Sequence, residues 1–307
     1  ILFAVLMIIT FGFAYNSVQS NTICLAWQKA FGFEPATMGI VLTALTLLII
    51  FGGIQRVAKF SSTVVPLMAI VYLLIAVGVV IWNITSLPKV LLTIIENAFG
   101  FNQPAGGMLG ITVIQGIKRG LFSNEAGEGS APNAAAVATV SHPVKQGLIQ
   151  ALGVFTDTLV VCSCTAFIIL VSGVDVTASN GIQLTQDALT HEIGSIGNPF
   201  VAVMIWLLAF SSIIGNYYYG ETNVRYIKDS KLGVFIYRLA VAEMDFAWSF
   251  ADITMALLTL CNLVAIVLLS RQAVFLLQDY RKQKKEGKNP VFKKDMMPEI
   301  ADQLEAW

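Results

Sequence analysis

The sequence predicts an all-α protein that crosses a membrane several times. Three observations lead there. The first is composition: 56% of the 307 residues are apolar and 12% are charged, whereas an ordinary soluble domain carries about 25% charged residues. There is too little polar material to coat a soluble fold, so much of the outer surface must face hydrocarbon. The second is length: apolar runs able to span a bilayer recur at 1–27, 37–55, 62–84, 105–118, 146–172, 199–222 and 246–270. The third is charge asymmetry. Of the 19 Lys and Arg, all but Lys29 and Lys89 fall at 56–59, 118–145, 225–238 and in the tail after 270. Basic loops stay in the cytoplasm, so these loops and the C-terminus are expected there.

The elements follow in order. The first run carries a polar cluster, NSVQSNT at 16–22. Such a cluster in a span must meet protein interior, a watery cavity or the outer interface. Gln19 is its candidate for lining a substrate path. Residues 88–104 read as a short helix lying at the membrane surface. The run 105–140 is interrupted by glycines and then by a polar, glycine-rich stretch. It is either a span followed by a cytoplasmic loop or a broken helix whose free backbone groups meet an ion or a substrate carboxylate.

The 146–172 run holds Asp157 near mid-membrane, flanked by Thr156 and Thr158. An acid there either caps a broken neighbour or takes part in ion coupling. Residues 172–198 read as an outer loop. In 199–222, Ser211 and Ser212 are adjacent hydroxyls, and Asn216 lies one turn beyond Ser212. The serines either bond back to their own helix or supply oxygen to a hard cation. Residues 232–242 are apolar but too short to span. Because 225–238 and the tail are both basic, an even number of crossings is expected between them. Too few residues are present for two spans, which predicts a truncated or re-entrant segment near Ala240. The chain divides into a helical bundle, 1–270, and a basic cytoplasmic tail, 271–307, read as a solvated arm.

Other chemistries are poorly served. Net charge is zero, which gives nucleic acid no electrostatic footprint. The four cysteines lie in apolar runs and lack zinc spacing. His142 and His191 stand alone in loops. No nucleophile–base pair, phosphate loop or His/Glu metal motif appears, so an enzyme has no residues to work with and no cofactor is expected. A carrier, a channel or a receptor would each fit a bundle with buried polar clusters. A proton-coupled carrier using Asp157 is a further alternative.

The string GIKRGLFSNEAGEGSAP at 116–132 narrows this. It resembles the signature of the alanine or glycine:cation symporter family. VQSNTI (18–23), SSTVVPLMAIVYLL (61–74), HPVKQGLIQALGVFTDTLVVC (142–162) and SFADITMALLTLCNLVAIVLLS (249–270) also look like family segments, in family order.

The resemblance implies a LeuT-like fold of two inverted five-helix repeats and sodium-coupled uptake of alanine or glycine across a bacterial or archaeal inner membrane. The first span would then be the third core helix, 105–140 would contain the sixth and 199–222 would be the eighth. The chain, which opens at Ile1 inside an apolar run, would lack the first two core helices and so be a fragment incompetent on its own. The resemblance places Ser211 and Ser212 at a sodium site, and Gln19, Thr112, Gln115, Gly116 and Asn216 at the substrate. Asp157, Asn124 and Glu125 are expected to hold or couple the broken segment. The implied partners are the amino acid, sodium and membrane lipid.

Overall fold

The computed structural model describes residues 1–51, 54–99, 107–125, 127–240 and 248–304. Eleven α-helical segments of six residues or more carry the described chain. They are α1 (Leu2–Phe31), α2 (Pro35–Ile50), α3 (Ile54–Trp82), α4 (Leu87–Phe99), α5 (Gly107–Asn124), α6 (Ser130–Ala135), α7 (Pro143–Ser172), α8 (Ile182–Ile193), α9 (Gly197–Ile227), α10 (Lys231–Ala240) and α11 (Trp248–Lys285). Five segments among the described residues are long and apolar enough to cross a membrane. At the predicted span 37–55 the described helix α2 is 16 residues long, about 24 Å at 1.5 Å per residue.

The helices end where the sequence supplies stops. α1 closes on Gly32 in the left-handed region (φ 72°), and α7 on Gly173 (φ 68°). α2 and α7 both begin with proline, which needs no donor partner in the first turn. Two helices carry a π-turn within their length: Ile8–Ala14 in α1 and Asp157–Cys162 in α7.

α9 is the organising element. It runs antiparallel along α1: Trp27 Nε1 donates to the Ala202 carbonyl at 3.1 Å, and Asn216 Nδ2 donates to Asn16 Oδ1 at 3.1 Å. The core divides into apolar clusters that all touch one of these two helices. One joins Ile23 and Cys24 to Met38, Leu42, Phe210 and Ile214. A second packs Met7, Phe11, Tyr15 and Val18 against Ala251, Met255 and Leu258 of α11. A third gathers α3, α7 and α8 around Val201. Away from the core, long stretches show apolar residues outward, among them Leu148, Leu152 and Phe155 of α7 and Val267 and Leu268 of α11. That is the surface of a helix facing lipid or other membrane helices.

Three sequence expectations change. The outer loop at 172–198 contains α8, whose Gln186 donates to the Ala26 carbonyl at 3.0 Å. Its Asp187 pairs with Lys29 at 2.6 Å. The helix was hidden because seven of its twelve residues are polar, so it gives no hydropathy peak. The tail is not a free arm: α11 continues through 270 to Lys285, and the chain then turns back. The Phe292 amide donates to the Ser141 carbonyl at 2.8 Å, and Lys145 reaches Asn289 Oδ1 at 2.6 Å. His142 is thus no isolated loop residue. It is fully buried between Tyr280 and Phe292, with Asp279 Oδ2 at 3.3 Å from its Nε2.

The short apolar stretch at 232–242 does form a helix, the ten residues of α10. That is about 15 Å, half the hydrocarbon thickness. The segment beyond Ala240, where the sequence predicts the truncation, lies outside the described residues.

Candidate functional site

The polar link between α5 and α6 is where side chains from four other helices converge in hydrogen bonds. α5 stops at Asn124 because Glu125 turns to φ 49°, the one positive φ outside glycine among the described residues. A non-glycine residue there holds local strain, which persists only where surrounding contacts fix it. Gly127 (φ 80°) and Gly129 (φ 84°) complete the reversal, and α6 restarts at Ser130.

Four helices each send a side chain to this link. From α1, the Tyr15 hydroxyl donates to Glu128 Oε1 at 2.8 Å. From α7, the Thr158 hydroxyl donates to Asn124 Oδ1 at 2.6 Å, while Asp157 accepts from the Ser123 hydroxyl at 2.6 Å. From α9, Asn223 Nδ2 donates to Asn133 Oδ1 at 3.2 Å. From α11, Asn262 Nδ2 donates to the Gly127 carbonyl at 2.8 Å. Within the link, the Ser130 hydroxyl donates to the Glu125 carboxylate. Just before it, Lys118 and Arg119 approach Asp252 of α11 at 3.6 and 3.7 Å. Glycine at 129 is a steric requirement: a Cβ there would sit 2.8 Å from both Asn262 and Phe3.

The sequence-predicted residues fall at this link, on α9, on α1 and on α5. Asp157, Asn124 and Glu125 all belong to the link. The two serines of α9 both donate to the Leu208 carbonyl, Ser211 at 2.7 Å and Ser212 at 3.3 Å. Ser211 is buried and Ser212 exposed. Asn216, expected on the Ser212 face, is buried instead and bonds to Asn16. Asn16 in turn donates to the Gly12 carbonyl at 3.2 Å. Gln19 lies half-buried one turn along α1 from Asn16. Gln115 and Gly116 are exposed on α5, which packs on α4, on the π-turn of α7 and on α11. The structure therefore does not bring them to Ser211 and Asn216. The Thr112 side chain lies outside the described residues.

Sequence reasoning missed Tyr15, Asn16, Glu128 and Asn262. Asn16 stood inside the polar cluster at 16–22, and Glu128 inside the signature string at 116–132. Tyr15 and Asn262 gave no local signal, because their partners lie 113 and 135 residues away.

Chemically, the site offers oxygen. Buried oxygens without a partner there are Glu128 Oε2 and Thr259 Oγ1. No cluster of three His, Cys, Asp or Glu occurs among the described residues. Oxygen donors of this kind suit hard cations rather than transition metals.

Comparison with known proteins points in the same direction. Residues 1–294 match the model of the sodium:alanine symporter family. The chain is 51% identical to the probable sodium/glutamine symporter GlnT of Bacillus subtilis, over 96% of this chain and 64% of that protein. It is 50% identical to the amino-acid carrier protein AlsT of the same organism, over 100% of this chain and 68% of that one. A third B. subtilis protein, the putative sodium/proton-dependent alanine carrier YrbD, is 38% identical over 95% of this chain and 66% of its own length. The chain thus spans about two thirds of the length of the curated relatives it matches.

Proposed function

This chain belongs to the sodium:alanine symporter family, a family of carriers and not of enzymes, and we propose that the protein carries a small neutral amino acid, alanine or glycine, into the cell together with sodium. The observation that carries the reading is the family match across 1–294. The buried polar link agrees with it, since a carrier needs polar groups inside an apolar bundle.

The reading adopts a LeuT-like plan of inverted repeats. α1 is then the third core helix, α5 and α6 the broken sixth, and α9 the eighth. What supports the sixth is the interruption at 125–129. The protein sits in the cell membrane of a bacterium or archaeon with its C-terminus in the cytoplasm, as the basic loops favour.

Sodium coordinates Ser211 and Ser212. Each hydroxyl donates to Leu208, which leaves its oxygen lone pairs able to accept a cation. Gln19 and Asn216 serve the substrate. Asp157, Asn124 and Glu125 hold the broken segment in the shape that binding requires. The inward sodium gradient supplies the work, about 2.3 kcal/mol per charge for each 100 mV of membrane potential.

A second substrate has support of its own: a relative at 51% identity is named a probable sodium/glutamine symporter. Radiolabelled uptake into proteoliposomes bearing the full-length gene product separates the two. Saturable, sodium-dependent alanine uptake that glycine inhibits supports the reading. Sodium-dependent uptake of glutamine with no alanine flux replaces the substrate. Uptake driven by a pH gradient and indifferent to sodium removes the ion assignment. Within that assay, Ser211→Ala combined with Ser212→Ala raises the sodium concentration needed for half-maximal uptake; an unchanged requirement discards that ion site.

A further inference from the structure

The carboxylate of Glu128 has a property that the carrier reading does not use. It is fully buried. Its Oε1 accepts the Tyr15 hydroxyl at 2.8 Å, while its Oε2 is buried and has no partner. A neutral hydroxyl is poor compensation for a buried negative charge, and a carboxylate isolated from both water and a cation is strongly disfavoured.

The Glu128 amide donates to the Glu125 carbonyl at 3.2 Å, the preceding carbonyl is held by Asn262, and Gly129 lies under Asn262 and Phe3. The backbone is fixed on both sides of the residue.

The charges around it make the imbalance worse. On the link, Glu125 is a second acid. On α1 the facing group is the Tyr15 phenol, and on α9 it is the Tyr219 phenol near Glu125. On α11 Asp252, which acts on Tyr15, is already approached by Lys118 and Arg119. No basic side chain reaches Glu128 among the described residues. A second buried oxygen, Thr259 Oγ1, also lacks a partner, and the Thr259 methyl sits 3.4 Å from where a Cβ on Gly127 would be.

We propose that Glu128 is a cation-accepting site: its free oxygen takes one monovalent cation, a proton or a sodium ion, and so completes the link between α5 and α6. The site is separate from Ser211 and Ser212, and it is held by Tyr15 on one side and by the α11 face bearing Thr259 and Asn262 on the other. A proton would bond to Oε2 and leave a neutral acid that still accepts from Tyr15. A sodium ion would find Oε2 as its charged ligand. As a site that couples transport, the inference rests on the carrier reading; as a cation site, it stands without it.

The test uses purified full-length gene product and Glu128→Gln, which keeps the shape and removes the charge. Infrared difference spectra are recorded on changing pH without sodium, and on adding sodium at fixed pH. A carboxyl signal that appears with pH in the parent and is lost in Glu128→Gln identifies the proton. A carboxylate shift on adding sodium, absent from the variant, identifies the metal ion. If parent and variant give identical difference spectra under both conditions, the proposal is overturned.

Uptake adds the coupling readout: Glu128→Gln flattens the pH profile in the first case and raises the sodium requirement in the second. Should Glu128→Gln fail to fold, Tyr15→Phe removes the one donor on Oε1 and must shift the same infrared signal; an unmoved signal also overturns the proposal. Absence of both alanine and glutamine uptake by the parent, with the Glu128 signal present, defeats the carrier reading and leaves this site standing.

Discussion

Tyr237 lies across the backbone of Gly220 so closely that a methyl group on Gly220 would overlap its phenol oxygen and ring carbon. The same ring comes within 2.8 Å of a Cβ position on Gly12. α10 is therefore seated where α1 and α9 each present a glycine. Arg238, one residue on, completes the seat with the Tyr217 hydroxyl at 2.8 Å and Glu221 at 3.1 Å.

Gly220→Ala is expected to lower stability by about 1–3 kcal/mol, the usual range for overpacking a filled site. Thermal unfolding in detergent measures it. Tyr237→Phe, which removes the overlapping oxygen, should recover part of the loss. A Gly220→Ala protein as stable as its parent would mean that α10 does not sit there.

The Asn16–Asn216 pair gives a second expectation. Both side chains are buried, and each amide lies on a different helix. Replacing either with Ala leaves the other without its partner at a cost of about 1–3 kcal/mol. The double replacement should cost less than the sum of the two single ones, since the bond is lost only once. Additive costs in a double-mutant cycle would show that the pair is not coupled.

Two glycines of the signature string should respond in opposite ways. Gly129 has φ 84° and its Cβ position is occupied, whereas a Cβ on Gly116 meets open space. Gly129→Ala is expected to cost more than about 1 kcal/mol from its left-handed backbone and the added overlap. Gly116→Ala should fold like the parent. Folded yield by size-exclusion chromatography ranks the two, and equal yields contradict the crowding at Gly129.

The returning tail makes a prediction for proteolysis. Phe292 is buried against His142, and Phe292→Ala removes that packing at a cost of up to about 3–5 kcal/mol. The lysines at 282–288 should then be cut faster by trypsin. Cleavage at the parental rate would mean that the tail does not depend on Phe292 for its attachment.

Much of this architecture was legible in the sequence. The long apolar helices stood out because each is read locally, from twenty or so neighbouring residues. The break after Asn124 stood out because glycines and acids interrupt an apolar run. α8 did not, because its polar face suppresses hydropathy while its buried face needs α1 and α9 to be recognised. The partners of Glu128 and of the Gly127 carbonyl did not either. Tyr15 and Asn262 are ordinary residues of apolar helices until the fold brings them to the link. His142 looked solitary for the same reason: Asp279, its partner, is 137 residues away. The paired serines were visible as a pair, but only coordinates show that both hydroxyls point to one carbonyl.

The π-turns in α1 and α7 set the angular phase of the helical residues after them. A wider turn accommodates one additional residue, and each residue of an α-helix advances the azimuth by about 100°. The turn at Ile8–Ala14 lies immediately before Tyr15 and Asn16, and the turn at Asp157–Cys162 begins at the acid that holds Ser123. A helix straightened to regular winding at either place would keep its length and its apolar character, yet rotate one half against the other by more than a quarter of a circle. The apolar half of α1 could still face α11 while Tyr15 swung off Glu128 and Asn16 off Asn216. The two local rewindings thus let one rod address two neighbours at once, with the aiming set by residue count.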